Sequence, residues 1–314
     1  MAFPAGKKVR VNDIDLVVHE AGSGIPVVLA HGWPELAYSW RYQVEPLVAA
    51  GYRVIMPDQR GYGDSDKPEP VEAYDIHHLC ADHVALLDAL DIERAVYVGH
   101  DWGAILVWQH ALLHPQRVAG VANLSVPFAP RTVDPVARME DKFGPEHYIV
   151  HFNRQPGVAV AAFDNNVEGF LRNMYTADIW RDTAGDMGAS GRNIIAIAQQ
   201  QRAQGELIMS EAEFAVFVEA FKKGGFRGPC NWYCNFTRNW KTTQGLAQQV
   251  IQPAMMIYGE YDLVPPNPFM GEFVRDLEEH TLPCGHWIQQ ERPAETNRLL
   301  LDWLERRMRP LFQD

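Results

Sequence analysis

The sequence is short of several things, and each shortage closes off a class of function. Cysteine occurs four times in 314 residues, at Cys80, Cys230, Cys234 and Cys284. That is too few, and too scattered, for a disulfide framework. The Cys230-x-x-x-Cys234 pair has no second Cys/His pair at finger spacing. Free thiols in a reducing compartment are therefore expected, and no metal site. Positive charge is also scarce. The 28 lysines and arginines face 40 acids, a formal net charge of -12. Such a surface repels nucleic acid and anionic membrane, so neither is expected as a partner. No apolar run reaches the roughly 18 residues that span a bilayer. The opening MAFPAGKKVRVND holds no apolar h-region, so no secretory signal is expected and a cytoplasmic location is. Internal repeats and low-complexity tracts are absent as well. The glycine-rich RGYGDSDKP (Arg60–Pro68) lacks the Lys-Ser/Thr of a phosphate loop and reads as structural.

What is present is an ordinary globular composition, 47% hydrophobic and 22% charged, enough for a large core. Short apolar runs bounded by Gly or Pro (IDLVVHEAG, PVVLAHG, RVIMPD, AVYVGHD, VAGVANLSVP) alternate with helical patterns (SWRYQVEPLVAAG, LCADHVALLDAL, GAILVWQHALLHP). In LCADHVALLDAL the apolar Val84, Leu87, Ala89 and Leu90 form a helical stripe. Near-continuous apolar strands alternating with helices imply a parallel sheet covered on both faces. The alternation stops after Pro127. VEGFLRNMYTADIWRD, RNIIAIAQQQRAQGELI and EAEFAVFVEAFKKGG carry no clear strand. Strands resume at PAMMIYGEYD and EEHTLPCGH, and the chain ends on the amphipathic ETNRLLLDWLERRM. The expected architecture is a doubly wound, mostly parallel α/β core, residues 1–130 and 243–314, interrupted by a mainly helical cap, residues 131–242.

The chemistry concentrates in VYVGHDWGAILVW, Val96 to Trp108. Gly99 and Gly103 bracket Asp101 at a strand-to-helix turn, which would push one side chain into the crevice at the strand ends. The amide of Trp102 and the helix N-terminus then face the charge that develops there. Aspartate is also a preferred helix cap, which would explain the same residue without chemistry. Two further residues alter that balance. His286 follows a predicted strand in LPCGHWIQQERP, and Asp262 ends another in IYGEYDLVPP. Each alone has a structural explanation. Together they give nucleophile, acid and histidine at three strand ends, in the chain order of α/β-hydrolases. HGWPE, His31 to Glu35, follows the first long apolar strand and would supply a second oxyanion amide from Trp33. Trp33, Trp102 and Phe128 are expected to line an apolar substrate pocket.

These blocks, with LSVPF and GPCNWYCNFTRNW, resemble the soluble-type epoxide hydrolases of the α/β-hydrolase fold. The resemblance runs from about Val11 to Leu311, tight in the core and looser in the cap before Arg227. It implies that Asp101 is the nucleophile, His286 the base and Asp262 its orienting acid. It also implies two cap tyrosines that donate to the epoxide oxygen, Tyr233 in the Asn-Trp-Tyr block and Tyr148 in EHYIVHFNRQPGV. Ile149 and the longer gap to Pro156-Gly157-Val158 depart from the family there, which leaves His147 and His151 as neighbours to weigh. No cofactor is implied. The substrates would be a small apolar epoxide and water, and a homodimer is left open. A haloalkane dehalogenase shares the nucleophile, but Trp33 and the tyrosine pair weigh against it. A non-catalytic receptor on this fold would be expected to lack a triad member.

Overall fold

The computed structural model describes residues 2–176, 194–199 and 205–313. The chain begins with the hairpin β1 (Gly6–Val11) and β2 (Ile14–Ala21). Next come β3 (Ile25–Ala30), α1 (Arg41–Ala49), β4 (Tyr52–Asp58), α2 (Ile76–Ala89), β5 (Ala95–His100), α3 (Trp102–Leu113) and β6 (Val118–Leu124). A helical stretch follows: α4 (Pro135–Phe143), α5 (Tyr148–Arg154), α6 (Pro156–Asn165), α7 (Val167–Met174), α8 (Ile194–Gln199), α9 (Glu211–Gly224), α10 (Arg227–Cys234) and α11 (Phe236–Thr242). The chain then returns to β7 (Ala254–Gly259), β8 (Leu277–Leu282), α12 (Ile288–Glu291) and α13 (Pro293–Trp303).

The strands form one sheet in the order β1-β2-β4-β3-β5-β6-β7-β8. The pairs β1/β2 and β2/β4 are antiparallel, and every other pair is parallel. This is the α/β-hydrolase arrangement that the sequence predicts. β5, β6 and β7 are buried at every position, as their nearly unbroken apolar sequences require. β1 is the strand that pattern reading missed. GKKVRV exposes most of its residues at the sheet edge, so its charges mask the period. From β3 the chain steps to β4 on one side and returns to β5 on the other. The order reverses there, and a crevice opens beyond the carboxyl ends of β3 and β5.

The sheet is covered on both faces. Leu86, Val107 and Trp108 from α2 and α3 pack on Val28, Ile55 and Val121. Trp40, Val44, Leu300 and Trp303 cover the opposite face over Val27, Val54 and Val98. A third cluster joins the helical stretch to the crevice. Phe152, Phe163, Phe170, Phe226 and Trp232 pack with Trp33, Trp102 and Trp287 of the core. Fully burying one such aromatic contributes about 1.5–3 kcal/mol, so this layer supplies much of the energy that holds the helices over the strand ends. The sequence expectation of a strandless middle segment agrees with the described helices. An isolated bridge between Thr176 and Leu207 is the exception among the described residues. The parts of VEGFLRNMYTADIWRD and RNIIAIAQQQRAQGELI that fall in 177–193 and 200–204 lie outside the described residues.

Beneath α2 and α3 the rings of His83, Tyr97 and His110 pack with centroids 5.7, 5.9 and 4.7 Å apart. Burial pushes the His83 imidazole down to about 4, and it pushes His110 far down in the same direction. The folded state therefore holds these rings neutral, while the unfolded chain protonates them near pH ~6.5. Stability from this source is complete above that pH and is lost as pH falls toward the folded value. For His83 the loss reaches about 3 kcal/mol by pH ~4. Chemical denaturation of wild type and His83→Gln at several pH values tests this. The variant should lose less stability than wild type between pH ~6.5 and ~4.5, and parallel curves would refute the assignment.

Candidate active site

Asp101 ends the turn between β5 and α3 with φ 51° and ψ -117°. A residue with a Cβ avoids that backbone region, and holding it there costs on the order of 1–3 kcal/mol. The capping alternative does not hold, because the Asp101 side chain caps no amide of α3. Its Oδ1 accepts the Trp33 backbone N–H at 2.8 Å, and its Oδ2 lies 3.6 Å from His286 Nε2. Glycines permit this approach. A Cβ on Gly32 would come within 2.5 Å of the Asp101 Cβ, and one on Gly99 within 2.6 Å of Asn123 Oδ1. A Cβ on Gly103 would overlap the Ala30 carbonyl oxygen. The ends of β3 and β5 and the start of α3 therefore press together only without side chains at these positions. The first helical bond of α3 runs from Ile105 N to Asp101 O, so the Trp102 amide has no acceptor within the helix.

His286 lies on the loop between β8 and α12, and Asp262 on the loop after β7. His286 Nδ1 donates to Asp262 Oδ1 at 2.9 Å. Asp262 accepts two more bonds, from the Val264 amide at 3.0 Å and from Ser125 Oγ at 2.6 Å. The Ser125 oxygen also lies 2.9 Å from His286 Nδ1. Burial alone would raise the Asp262 carboxyl, but the His286 charge and these donors hold it below its ordinary value. Burial alone would lower His286. The charge of Asp262 and the contact with Asp101 outweigh it and raise the imidazole well above its usual value. Sequence reading missed Ser125. Its signal is indirect: it follows β6 with φ 71°, a conformation that turns its hydroxyl back to the neighbouring strand end.

A second buried pair, also unread in the sequence, lies behind the first. His100, the residue before the nucleophile candidate, meets Glu35 Oε2 at 2.7 Å through Nδ1. Its Nε2 meets the His286 carbonyl at 2.8 Å. Glu35 also accepts the Gly32 amide at 2.7 Å and the Gln289 amide group at 3.0 Å. Burial would raise Glu35, but His100 and these donors hold its carboxyl below the ordinary value. The pair fastens the loop after β3 to the backbone of His286.

Tyr148 opens α5 and Tyr233 lies near the end of α10, their ring centroids 5.6 Å apart. Tyr233 packs edge-on to Trp33 at 5.4 Å and Trp102 at 5.1 Å, which sets it over the elbow. Burial first, and then the nearby Asp101 charge, push the Tyr148 phenol above its ordinary value. Burial, Tyr148 and Asp101 do the same for Tyr233. Both remain protonated donors across the working pH range. His147 is buried and stacks on Phe143 instead. Trp33 and Trp102 share this aromatic cluster. Phe128 does not join them. The chain turns away after Ser125, Trp108 Nε1 binds the Val126 carbonyl, and Phe128 packs on Trp108 and Phe273 beneath α3. The expectation that Phe128 lines the pocket is corrected accordingly.

Among the described residues, no cluster of three or more His, Cys, Asp or Glu could hold a metal ion, and no helix is long and apolar enough to cross a membrane. The family described as the alpha/beta hydrolase fold matches residues 25–293. The chain is 42% identical to epoxide hydrolase A of Mycobacterium tuberculosis, over 97% of this chain and 98% of that protein. It is 38% identical to bifunctional epoxide hydrolase 2 of Sus scrofa, over 91% of this chain and 52% of that protein, and so spans about half of its length. The solved structure of epoxide hydrolase A from Mycobacterium thermoresistibile superposes with a TM-score of 0.87 at 40% identity, covering 96% of this chain and 98% of that one. An epoxide hydrolase from Vigna radiata superposes with a TM-score of 0.81 at 31% identity, covering 96% and 97%.

The glycine argument has a direct check in stability. Gly103→Ala drives a methyl group into the Ala30 carbonyl and should cost more than about 3 kcal/mol in urea denaturation. Gly157→Ala, at a position in α6 with nothing within 4 Å, should be neutral or slightly stabilising. Equal effects of the two would remove steric closure as the reason for the elbow glycines.

Proposed function

The chain belongs to the epoxide hydrolases of the α/β-hydrolase fold, and from that membership we propose that it opens apolar epoxides through a covalent ester on Asp101. The observation that carries this reading is the setting of Asp101. One carboxylate oxygen is bound to the Trp33 amide, the other faces His286, and two protonated phenols lie nearby.

Oδ2 attacks an epoxide carbon in line with the breaking C–O bond. An alkoxide is a poor leaving group, so the ring oxygen needs donors. Tyr148 and Tyr233 supply them, one giving up its proton as the ring opens. Residues 131–242, which carry both tyrosines, serve as the cap. A hydroxyalkyl ester on Asp101 results. Oδ1 becomes the ester carbonyl oxygen, already held by the Trp33 amide and adjacent to that of Trp102. His286, oriented by Asp262, then takes a proton from water, which adds to the ester carbonyl. The two amides stabilise the resulting oxyanion, and loss of one such donor typically costs about 3–4 kcal/mol of barrier. Collapse of this intermediate expels the diol oxygen, which takes up the proton of the newly formed Asp101 carboxyl, and releases a vicinal diol. A halide leaving group would need no proton, so two protonated phenols over the nucleophile favour the epoxide reading over the dehalogenase one.

The electrostatics order the two steps. The Asp101 carboxylate helps to keep His286 protonated in the free enzyme. Esterification removes that charge and lowers the affinity of the imidazole for its proton, which passes to the tyrosinate and leaves a neutral His286 to activate water.

Five measurements test the proposal. Asp101→Ala should show no turnover of styrene oxide, and His286→Ala should accumulate a protein adduct heavier by one epoxide in intact mass. A single turnover in ¹⁸O-water should leave the label in the Asp101 carboxyl and not in the diol. Direct incorporation into the diol would exclude the ester. Finally, the acid limb of kcat should fall at lower pH than the His286 titration followed by NMR in the free enzyme, because the first belongs to the ester state. Release of bromide from 1,2-dibromoethane without diol formation from styrene oxide would favour the dehalogenase.

A further inference from the structure

The C-terminus of α7 reaches two separate loops of the core. Tyr175, directly after the helix, donates its hydroxyl to the Pro34 carbonyl at 2.7 Å. Trp287, directly after His286, donates its indole N–H to the Met174 carbonyl at 2.9 Å. The two rings pack against each other with centroids 4.7 Å apart. One turn earlier, Phe170 packs 5.8 Å from the ring of Trp33. Tyr175, Trp287 and Met174 are 0%, 1% and 4% exposed, so water does not compete for these bonds. A helix C-terminus leaves carbonyls without helical donors, and here a core side chain satisfies one of them.

The two loops have one thing in common. The first carries the Trp33 amide, one residue from Pro34, and the second carries His286, one residue from Trp287. In the reaction above, both groups act on the ester: one holds the oxyanion and the other activates water. Ring opening depends instead on Asp101, Tyr148 and Tyr233, none of which bonds to Tyr175 or Trp287 through the contacts just described.

We propose that Tyr175 and Trp287 are positioning residues that set the oxyanion amide and the base relative to each other, and that they act selectively on ester hydrolysis. The cap thereby serves both half-reactions. It brings phenols to the epoxide, and it braces the two core loops that hydrolyse the ester. Misplacing either loop by a fraction of an ångström lengthens donor distances that count most in the second transition state, where oxyanion charge develops on the oxygen the Trp33 amide holds and water must meet His286.

This inference rests on the ester route, which the His286→Ala adduct decides independently. The test compares Tyr175→Phe and Trp287→Phe with wild type on styrene oxide. Each substitution keeps an aromatic ring and removes one of the two bonds. kcat/KM reports ring opening, and kcat reports hydrolysis when hydrolysis is slow. Rapid-quench intact mass gives the ester fraction at steady state. In both variants kcat should fall about 3- to 10-fold, the scale of one neutral hydrogen bond. KM should fall with it, kcat/KM should stay within about twofold, and the ester fraction should rise. Parallel losses in kcat and kcat/KM, or unchanged kcat with a lower melting temperature, would assign these bonds to stability alone and overturn the proposal. Failure of both variants to fold would do the same. If wild type forms no ester, the route itself is wrong and not merely the role of α7.

Discussion

The contact on which the rest depends is the hydrogen bond from the Trp33 amide to Asp101 Oδ1, 2.8 Å long. It joins the end of β3 to the end of β5, the two strands between which the sheet order reverses. Its requirements reach outward into the sequence. The amide can point inward only if the loop after β3 is fastened, and Glu35 does this through the Gly32 amide and His100. The carboxylate can stand off the helix only if the backbone at Asp101 accepts a positive φ. The strand ends can approach only if Gly32, Gly99 and Gly103 carry no side chains. Strain at one residue is thus sustained by packing around several others.

Buried charge is the second constraint. Asp101, Asp262 and Glu35 bring three carboxylates into a water-poor crevice, and an unpaired buried charge costs several kcal/mol. Each has a specific remedy. Asp262 takes His286, Ser125 and a backbone amide. Glu35 takes His100, two glutamines and a backbone amide. Asp101 has the Trp33 amide and faces His286, and its side chain is the most exposed of the three. The group with the fewest fixed donors is therefore the one assigned, in the proposed route, to meet the substrate. Full satisfaction of Asp262 and Glu35 keeps them rigid, and incomplete satisfaction of Asp101 suits the nucleophilic role proposed for it.

How much of this was legible follows from the kind of signal each residue leaves. The core strands were legible because β5, β6 and β7 are apolar almost throughout, with only His100 and Asn123 polar. β1 was not, because an edge strand with lysines has no reason to show the pattern. Asp101, Asp262 and His286 were readable from local frames: a glycine bracket for one, strand ends for the others, and an order along the chain. Ser125 and His100 have no frame of their own. Their roles arise from strands adjacent in space, β6 beside β7 and β5 beside the loop after β3, and adjacency of that kind is absent from a linear pattern. Phe128 failed for the related reason that one positive φ at Ser125 redirects every residue after it.

The helical stretch between β6 and β7 gains a second meaning from these contacts. An insertion that only covered a pocket would need apolar packing, and the aromatic layer supplies it. Packing is tolerant of direction, because rings slide against rings at little cost. Hydrogen bonds to main-chain atoms are not tolerant. Tyr175 to Pro34 and Trp287 to Met174 fix the register of α7 on the core where apolar contacts alone would leave it loose. Arg41 and Tyr42, both bound to Glu213 of α9, add two more directed bonds between the core and the helices. Directed bonds of this kind hold the helices in one register over the strand ends, which is the precision that the proposed in-line attack on a small strained ring demands.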